Sequence, residues 1–398
     1  MAQNVIKSEM NFLVVGCGLS GSVVARELAN RGHDVCIWER RSHIGGNMYD
    51  YVDEHGILVH KYGPHTFHTA NKVLLDYMMQ YGDWQPYKLC CKAKINEKTT
   101  PSPFNFQTID DYYTLERADI IKNSIKKNYP NQKSITVIEA LNSSTPELRE
   151  FAQFLFDNDY KLYSAKQWGV TPSEIDPSIF KRVPIRFSYK DGYFPDDEYQ
   201  VMPKGKYEDF FKKILDHPNI HIKLNINALD HLKVNKESHS ILVNGKNGVF
   251  VVYTGALDEL FSSCYGALPY RSLRFEWKYE NKDSFQDAPV VAYPQEEGFT
   301  RITEYKKLPK QIVNGTSYAV EYSLQYQAGI KQEPYYPLLT EKAQNAYVKY
   351  AELADQFKNL KYCGRLGDFK YYNMDKALSR ALNISRQIID NTNLDVKL

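Results

Sequence analysis

The chain has 398 residues, 43% hydrophobic and 25% charged, with a formal net charge of +2, an ordinary globular composition with room for two or three structural units. So balanced a charge excludes a broad nucleic-acid surface and leaves positive charge to act locally, where an anionic ligand binds. No apolar run approaches the roughly 18 residues of a membrane span, which excludes stable membrane insertion by a helix.

Met1 to Met10 lack the apolar core of a signal peptide and read as a short disordered extension. Phe12 to Val15 then form an apolar run suited to a buried parallel strand, and Gly16, Gly18 and Gly21 follow at the G-x-G-x-x-G spacing. Gly16 permits the tight turn, Gly18 lets backbone approach a pyrophosphate, and Gly21 lets the helix lie close to the strand. The diphosphate then sits on the helix N-terminus. A second strand, Asp34 to Glu39, ends in an acid that can accept hydrogen bonds from a ribose. Strand, helix, strand and acid together predict a dinucleotide-binding βαβ unit.

Residues 108 to 180 carry helical patterns, including Ile135 to Leu141 and Pro146 to Leu155, and are rich in Tyr and Phe. From about 183 to 204 the texture shifts to short β-like pieces. Tyr207 to Leu215 reads as a helix, and Ile220 to Leu224 and Val249 to Tyr253 as core strands. Ser272 to Tyr279, Pro289 to Tyr293, Thr300 to Tyr305 and Ser317 to Tyr322 alternate between polar turns, as antiparallel strands do. A helix from about Glu341 to Phe357, a strand Leu360 to Cys363 and a helix from about Met374 to Asp390 close the chain. The six cysteines show neither C-x-x-C pairs nor a disulfide framework and read as structural thiols of a reducing, cytoplasmic setting. The ten histidines show no metal-ligand spacing, so no metal is expected.

A series of stretches is more specific than the fold signal: His60-Lys61-Tyr62-Gly63-Pro64-His65-Thr66-Phe67-His68-Thr69, Lys166-Gln167-Trp168-Gly169, Lys181-Arg182-Val183-Pro184-Ile185-Arg186-Phe187, Gly266-Ala267-Leu268-Pro269-Tyr270-Arg271, Glu333-Pro334-Tyr335-Tyr336-Pro337 and Gly364-Arg365-Leu366. In order and spacing these resemble the UDP-galactopyranose mutases across nearly the whole chain. The resemblance implies an FAD-containing homodimer, active in the reduced form, that interconverts pyranose and furanose forms of a nucleotide sugar. The flavin N5 would attack the anomeric carbon and the nucleoside diphosphate would leave and return. It also implies an α/β fold in three parts. A discontinuous Rossmann-like FAD-binding domain would take residues 1–90, 205–260 and 345–398. A helical domain would be inserted at 108–180, and an antiparallel β-sheet domain would take 91–107, 181–204 and 261–344.

Residue by residue, the resemblance makes Arg182 and Arg301 the two diphosphate-binding arginines, whose planar forks pair bidentately with phosphate. Arg182 would ride on a mobile loop at about 169–180. Tyr163 and Trp168 would hold the uracil, and Tyr193, Tyr322 and Tyr371 the diphosphate, with core packing the competing reading for each aromatic. His60, Gly63 and His65 would lie against the flavin, neither histidine as a general base. Leu19, Glu39, Arg40, Gly46, Asn47, Gly364, Arg365 and Met374 complete the cofactor contacts.

Three departures bear on the substrate. Tyr371-Tyr372-Asn373-Met374 stands where the galactopyranose enzymes have Tyr-Tyr-Asp-Met, placing a neutral amide in the sugar site. Phe194-Pro195-Asp196-Asp197-Glu198-Tyr199-Gln200 has one extra residue, and Thr100-Pro101-Ser102-Pro103-Phe104-Asn105 lacks the usual Leu before Pro-Phe-Asn. Mutases of N-acetylated (UDP-N-acetylgalactosamine) or 6-deoxy (dTDP-fucose) nucleotide sugars therefore stay open. So do an FAD amine oxidase or desaturase, which shares the opening motif, and a catalytically dead nucleotide-sugar-binding paralogue.

Overall fold

The computed structural model describes residues 11–169 and 183–395. Its central sheet has five parallel strands in the order Ile220–Leu224, Val35–Glu39, Phe12–Val15, Phe250–Tyr253 and Leu360–Tyr362. Every residue of Val35–Glu39 is buried, as a strand covered on both faces requires. On one face Val23 and Leu28 of the helix Leu19–Ala29 share a core with Leu378 and Ile388 of the helix Met374–Asp395. On the other, Leu13 and Val251 join Tyr350 and Ala354 of the helix Glu341–Ala354. The architecture is the Rossmann-like α/β fold expected.

Strand order reverses between Phe12–Val15 and Phe250–Tyr253, and open α/β sheets bind ligands outside the strand carboxyl ends at such a switch. Close contact there depends on Gly21, where a Cβ would lie 2.0 Å from the Gly16 carbonyl oxygen. Asp50 anchors the neighbouring helix Tyr207–Leu215 by accepting from the first-turn amides of Tyr207 and Glu208 at 2.7 and 3.1 Å. An acid at a helix N-terminus supplies both a cap and a favourable charge.

The inserted unit contains helices Phe106–Tyr112, Leu115–Asn128, Val137–Leu141, Pro146–Leu155 and Lys161–Trp168, closed over Ile121, Leu148 and Phe151. Thr136 and Glu139 form the reciprocal capping box that starts the third of these. A single π-helical turn, Phe156–Tyr160, joins the last two.

A seven-stranded sheet runs in the order Tyr336–Pro337, Tyr270–Glu280, Thr316–Gln325, Arg301–Glu304, Val290–Ala292, Cys91–Ile95, Lys98–Ser102. Its neighbours are antiparallel except Val290–Ala292 with Cys91–Ile95, a parallel pair that strand alternation alone does not forecast. The segment 181–204 was expected in this sheet, but its described strands pair elsewhere. Ile185–Arg186 joins Ser134–Ile135 of the helical unit, and Tyr199–Pro203 lies between Phe67–Thr69 and Trp84–Pro86 in a separate three-stranded sheet. Period-2 patterning marks a strand but carries no information about its partner. A hairpin, Leu232–Asn235 with Ser240–Val243, adds two strands that the sequence pattern did not announce.

Candidate active site

Two cavities of about 240 and 280 Å³ meet at Asn47, His65, Tyr335, Arg365, Asn373 and Met374 to make one elongated cleft. The smaller opens at the carboxyl ends of the parallel strands. Gly16, Gly18, Leu19, Gly21 and Gly46 line it, with Glu39, Arg40, Gly364 and the shared Asn47, Arg365 and Met374 around them. Its floor is backbone. A Cβ on Gly46, whose φ is +56°, would stand 2.8 Å from Gly18 Cα, so the two strands of chain meet only because neither carries a side chain there. Gly18 is the N-cap of Leu19–Ala29 and supplies no side-chain cap, leaving first-turn amides for an anion. Glu39 is buried at the end of its strand, with Oε2 accepting from Cys17 N and Oε1 from Arg41 N, both at 2.8 Å. This cradle fits a dinucleotide. Arg40 lies at its outer rim, where Glu333 takes ion pairs from both Arg40 and Arg41.

The larger cavity is built from side chains. Tyr163 and Trp168 come from the last helix of the inserted unit, Tyr193 from the connector, Arg301 from the sheet, Tyr371 and Asn373 from the turn before the final helix, and Gly63 and His65 from the loop under them. Arg301 donates from Nε and Nη2 to a single oxygen, Glu321 Oε2, at 2.9 and 2.8 Å, which fixes the guanidinium. Burial opposes its charge, but the Glu321 carboxylate outweighs that and holds the arginine firmly protonated. Glu321 Oε1 is buried without a partner among the described residues. Trp168 packs edge-on to Tyr336 and Tyr371, at 5.4 and 5.8 Å between ring centres, closing that wall with aromatic surface.

His65 Nδ1 lies 2.8 Å from the Gly63 carbonyl, which can only accept, so Nδ1 carries the proton and Nε2 is left as an acceptor. Burial and the nearby Arg365 and Arg301 guanidiniums pull its pKa down to about 4. The imidazole is thus neutral at physiological pH.

Two expected positions fall elsewhere. His60 is fully buried behind the wall, its Nδ1 accepting from His65 N at 3.1 Å, so it shapes the loop and does not reach the cleft. Burial drives its pKa to about 3. Tyr322 points to the opposite face of its strand from Glu321, donating to Glu276 at 3.1 Å beneath the Arg274 guanidinium. Alternation along a strand forces that choice, because Glu321 claims the cleft side. Arg182 lies outside the described residues.

Other wall residues escaped the sequence reading of the site. Tyr335 and Tyr336 line the cavity, and the Glu333-Pro334-Tyr335-Tyr336-Pro337 stretch was the available signal. Asp159 and Tyr160, from the π-turn, also line it, and no motif singles them out. Among the described residues no cluster of His, Cys, Asp and Glu can hold a metal, and no helix is long and apolar enough to cross a membrane.

The family described as UDP-galactopyranose mutase matches residues 158–371, and one described as an NAD(P)-binding Rossmann-like domain matches residues 14–81. The chain is 34% identical over 388 residues to a UDP-galactopyranose mutase of Mycoplasma pneumoniae, covering 96% of this chain and 97% of that protein. It is 33% identical to a dTDP-fucopyranose mutase of Escherichia coli, covering 95% and 98%. The solved structure of a reduced UDP-galactopyranose mutase superposes with a TM-score of 0.70 over 96% of this chain and 95% of the other, at 14% identity.

Proposed function

Because the chain belongs to the UDP-galactopyranose mutase family, we propose that it is a flavin-dependent mutase interconverting UDP-galactopyranose and UDP-galactofuranose, making furanose donors for surface polysaccharide. The observation that carries this reading is the joined cleft, a backbone cradle for a dinucleotide opening at its far end onto a fixed guanidinium.

FAD would fit the cradle: the first-turn amides after Gly18 would hold its pyrophosphate, Glu39 a ribose, and Asn47, His65 and Arg365, where the two cavities meet, its ring system. When bound and reduced, FAD supplies an electron-rich nucleophile for the anomeric carbon of the sugar. Everything else falls to the chain. Arg301 binds the diphosphate and stabilises it as it departs, and Glu321 keeps the guanidinium from following the leaving group. Arg182 serves as the second phosphate ligand. Neutral His65 offers Nε2 to a hydroxyl of the sugar or an N–H of the cofactor without drawing a proton from either. Trp168, Tyr336 and Tyr371 exclude water, so that the opened sugar recloses onto its own carbon and is not hydrolysed.

Asn373 on the shared wall favours a second reading, a 6-deoxy or N-acetylated nucleotide sugar as substrate. An amide in place of an acid accepts and donates, which changes the hydroxyl pattern it can match. Incubating dithionite-reduced, FAD-loaded protein with UDP-galactopyranose, UDP-N-acetylgalactosamine and dTDP-fucopyranose, then separating pyranose from furanose, tests both. Furanose from the first supports the main reading, furanose from only the others supports the second, and none from any refutes both.

A further inference from the structure

The wall of the larger cavity is assembled from two separate units. Tyr163 and Trp168 belong to the helix Lys161–Trp168 of the inserted unit, and Arg301 opens the strand Arg301–Glu304 of the seven-stranded sheet. A ligand that touches both needs them at a fixed separation, so the contacts that fasten this helix to the sheet set the width of the site.

Two fastenings lie at the end of the helix. Arg271 Nε and Ser323 Oγ donate to the Gln167 carbonyl at 3.0 and 2.7 Å, which ties the helix to the strands Tyr270–Glu280 and Thr316–Gln325. Lys166 makes the other. Its Nζ donates to the carbonyls of Tyr293, Glu296 and Phe299 at 2.5, 2.6 and 2.9 Å. All three belong to the turn 293–300 that joins Val290–Ala292 to Arg301–Glu304, closed by Tyr293 N donating to the Thr300 carbonyl at 2.9 Å.

An ammonium has three N–H donors and no acceptor, and three converging carbonyls engage all of them. Burial opposes the charge and lowers the Lys166 pKa to about 8, with Asp159 and Glu296 pulling the other way, so the ammonium persists at neutral pH. The turn is wrapped around that charge, with inward carbonyls three residues apart. The residue that follows, Thr300, donates from N and Oγ1 to the Glu321 carbonyl at 2.8 and 3.1 Å, and the Glu321 carboxylate holds Arg301. A continuous path of contacts therefore runs from Lys166 through the turn and Thr300 to Arg301. Tyr163, three residues before Lys166, lies on the same face of the helix. Lys166 itself lies outside the cavity wall.

We propose that Lys166 is a positioning residue that sets the distance between the Tyr163 and Trp168 wall and the Arg301 guanidinium, and so the grip on a bound nucleoside diphosphate, without touching the ligand. This rests on the nucleotide-sugar reading above and adds the contact that holds the two sides of the site in register.

The test is a double-mutant cycle in kcat/KM with reduced, FAD-loaded wild type, Lys166→Met, Arg301→Ala and the double variant. The substrate is whichever of UDP-galactopyranose, UDP-N-acetylgalactosamine and dTDP-fucopyranose the wild type converts, with flavin absorbance and thermal melting as checks on folding. Lys166→Met should keep its flavin and lose roughly tenfold. Added to Arg301→Ala, the same change should cost less than about twofold, because no guanidinium is left to place. A merely structural lysine would cost the same factor in both backgrounds, and that result overturns the inference while leaving the mutase reading intact. So does a folded Lys166→Met within about twofold of wild type. Should Lys166→Met not fold, Lys166→Gln, which keeps a polar end without the charge, takes its place in the cycle with the same two readings. Absence of furanose from wild type with all three substrates overturns the mutase reading, and this inference with it.

Discussion

At the dinucleotide end of the cleft the wall is backbone, with Gly46 against Gly18 and the bare first turn of Leu19–Ala29. At the other end it is side chains delivered by the helical unit, the sheet and the turn before the last helix. A backbone wall is specified by a few residues near in sequence and fails when anything is added to it. A side-chain wall depends on long-range register, and it fails when something is removed. On the proposed reading, the first would hold a cofactor that stays, and the second would grip a leaving group, release it and take it back.

The most damaging change on the cradle side adds atoms. Gly46→Val places carbon against Gly18 Cα and should leave a folded protein with roughly a tenth or less of its bound flavin, read from the visible absorbance of the purified material. A fully yellow Gly46→Val protein would break the contrast. On the far side the largest effect comes from removal. Arg301→Ala should keep its flavin and lose about 30- to 1000-fold in kcat/KM, or about 2 to 4 kcal/mol. Arg182→Ala should behave alike if it is the second phosphate ligand.

Smaller changes sharpen the same contrast. Glu321→Gln should cost about tenfold in kcat by loosening Arg301 without removing its charge. The pH dependence separates loop packing from chemistry. His60 and His65 have folded pKa values of about 3 and 4, below the ordinary value of about 6.5. The unfolded chain therefore binds protons that the folded one refuses, so stability is complete above pH 6.5 and is lost as pH falls towards 4. Melting temperatures from pH 7 to 4 should fall more steeply for wild type than for His60→Gln. Smallest of all, Tyr322→Phe touches only the outer face and should leave kcat/KM within about twofold, whereas a large loss would return Tyr322 to the cleft.

The contrast also explains how far the site was legible. Gly16, Gly18, Gly21 and Glu39 were readable because one βαβ unit positions them all within 24 residues. Arg301, Tyr163, Trp168 and Tyr371 came from the family resemblance, and the folded chain brings them to one cavity. The sequence placed Tyr322 in the cleft and not Glu321, because neighbours in a strand differ only in the face they take, and the register against Arg301 decides it. His60 looked like a ligand because the loop sequence does not say which imidazole is outermost. Asp159 and Tyr160 gave no signal, since their place on the wall depends on a cavity that distant segments enclose.

The central claim is that this cleft interconverts ring forms with a reduced flavin and no net oxidation. Anaerobic incubation of the FAD-loaded protein, oxidised or dithionite-reduced, with UDP-galactopyranose tests it most directly, with sugar products and reductant both counted. Furanose should accumulate to equilibrium over many turnovers in the reduced sample only, with no reductant consumed per turnover. Equal conversion by the oxidised protein, or reductant consumed in step with product, would contradict it.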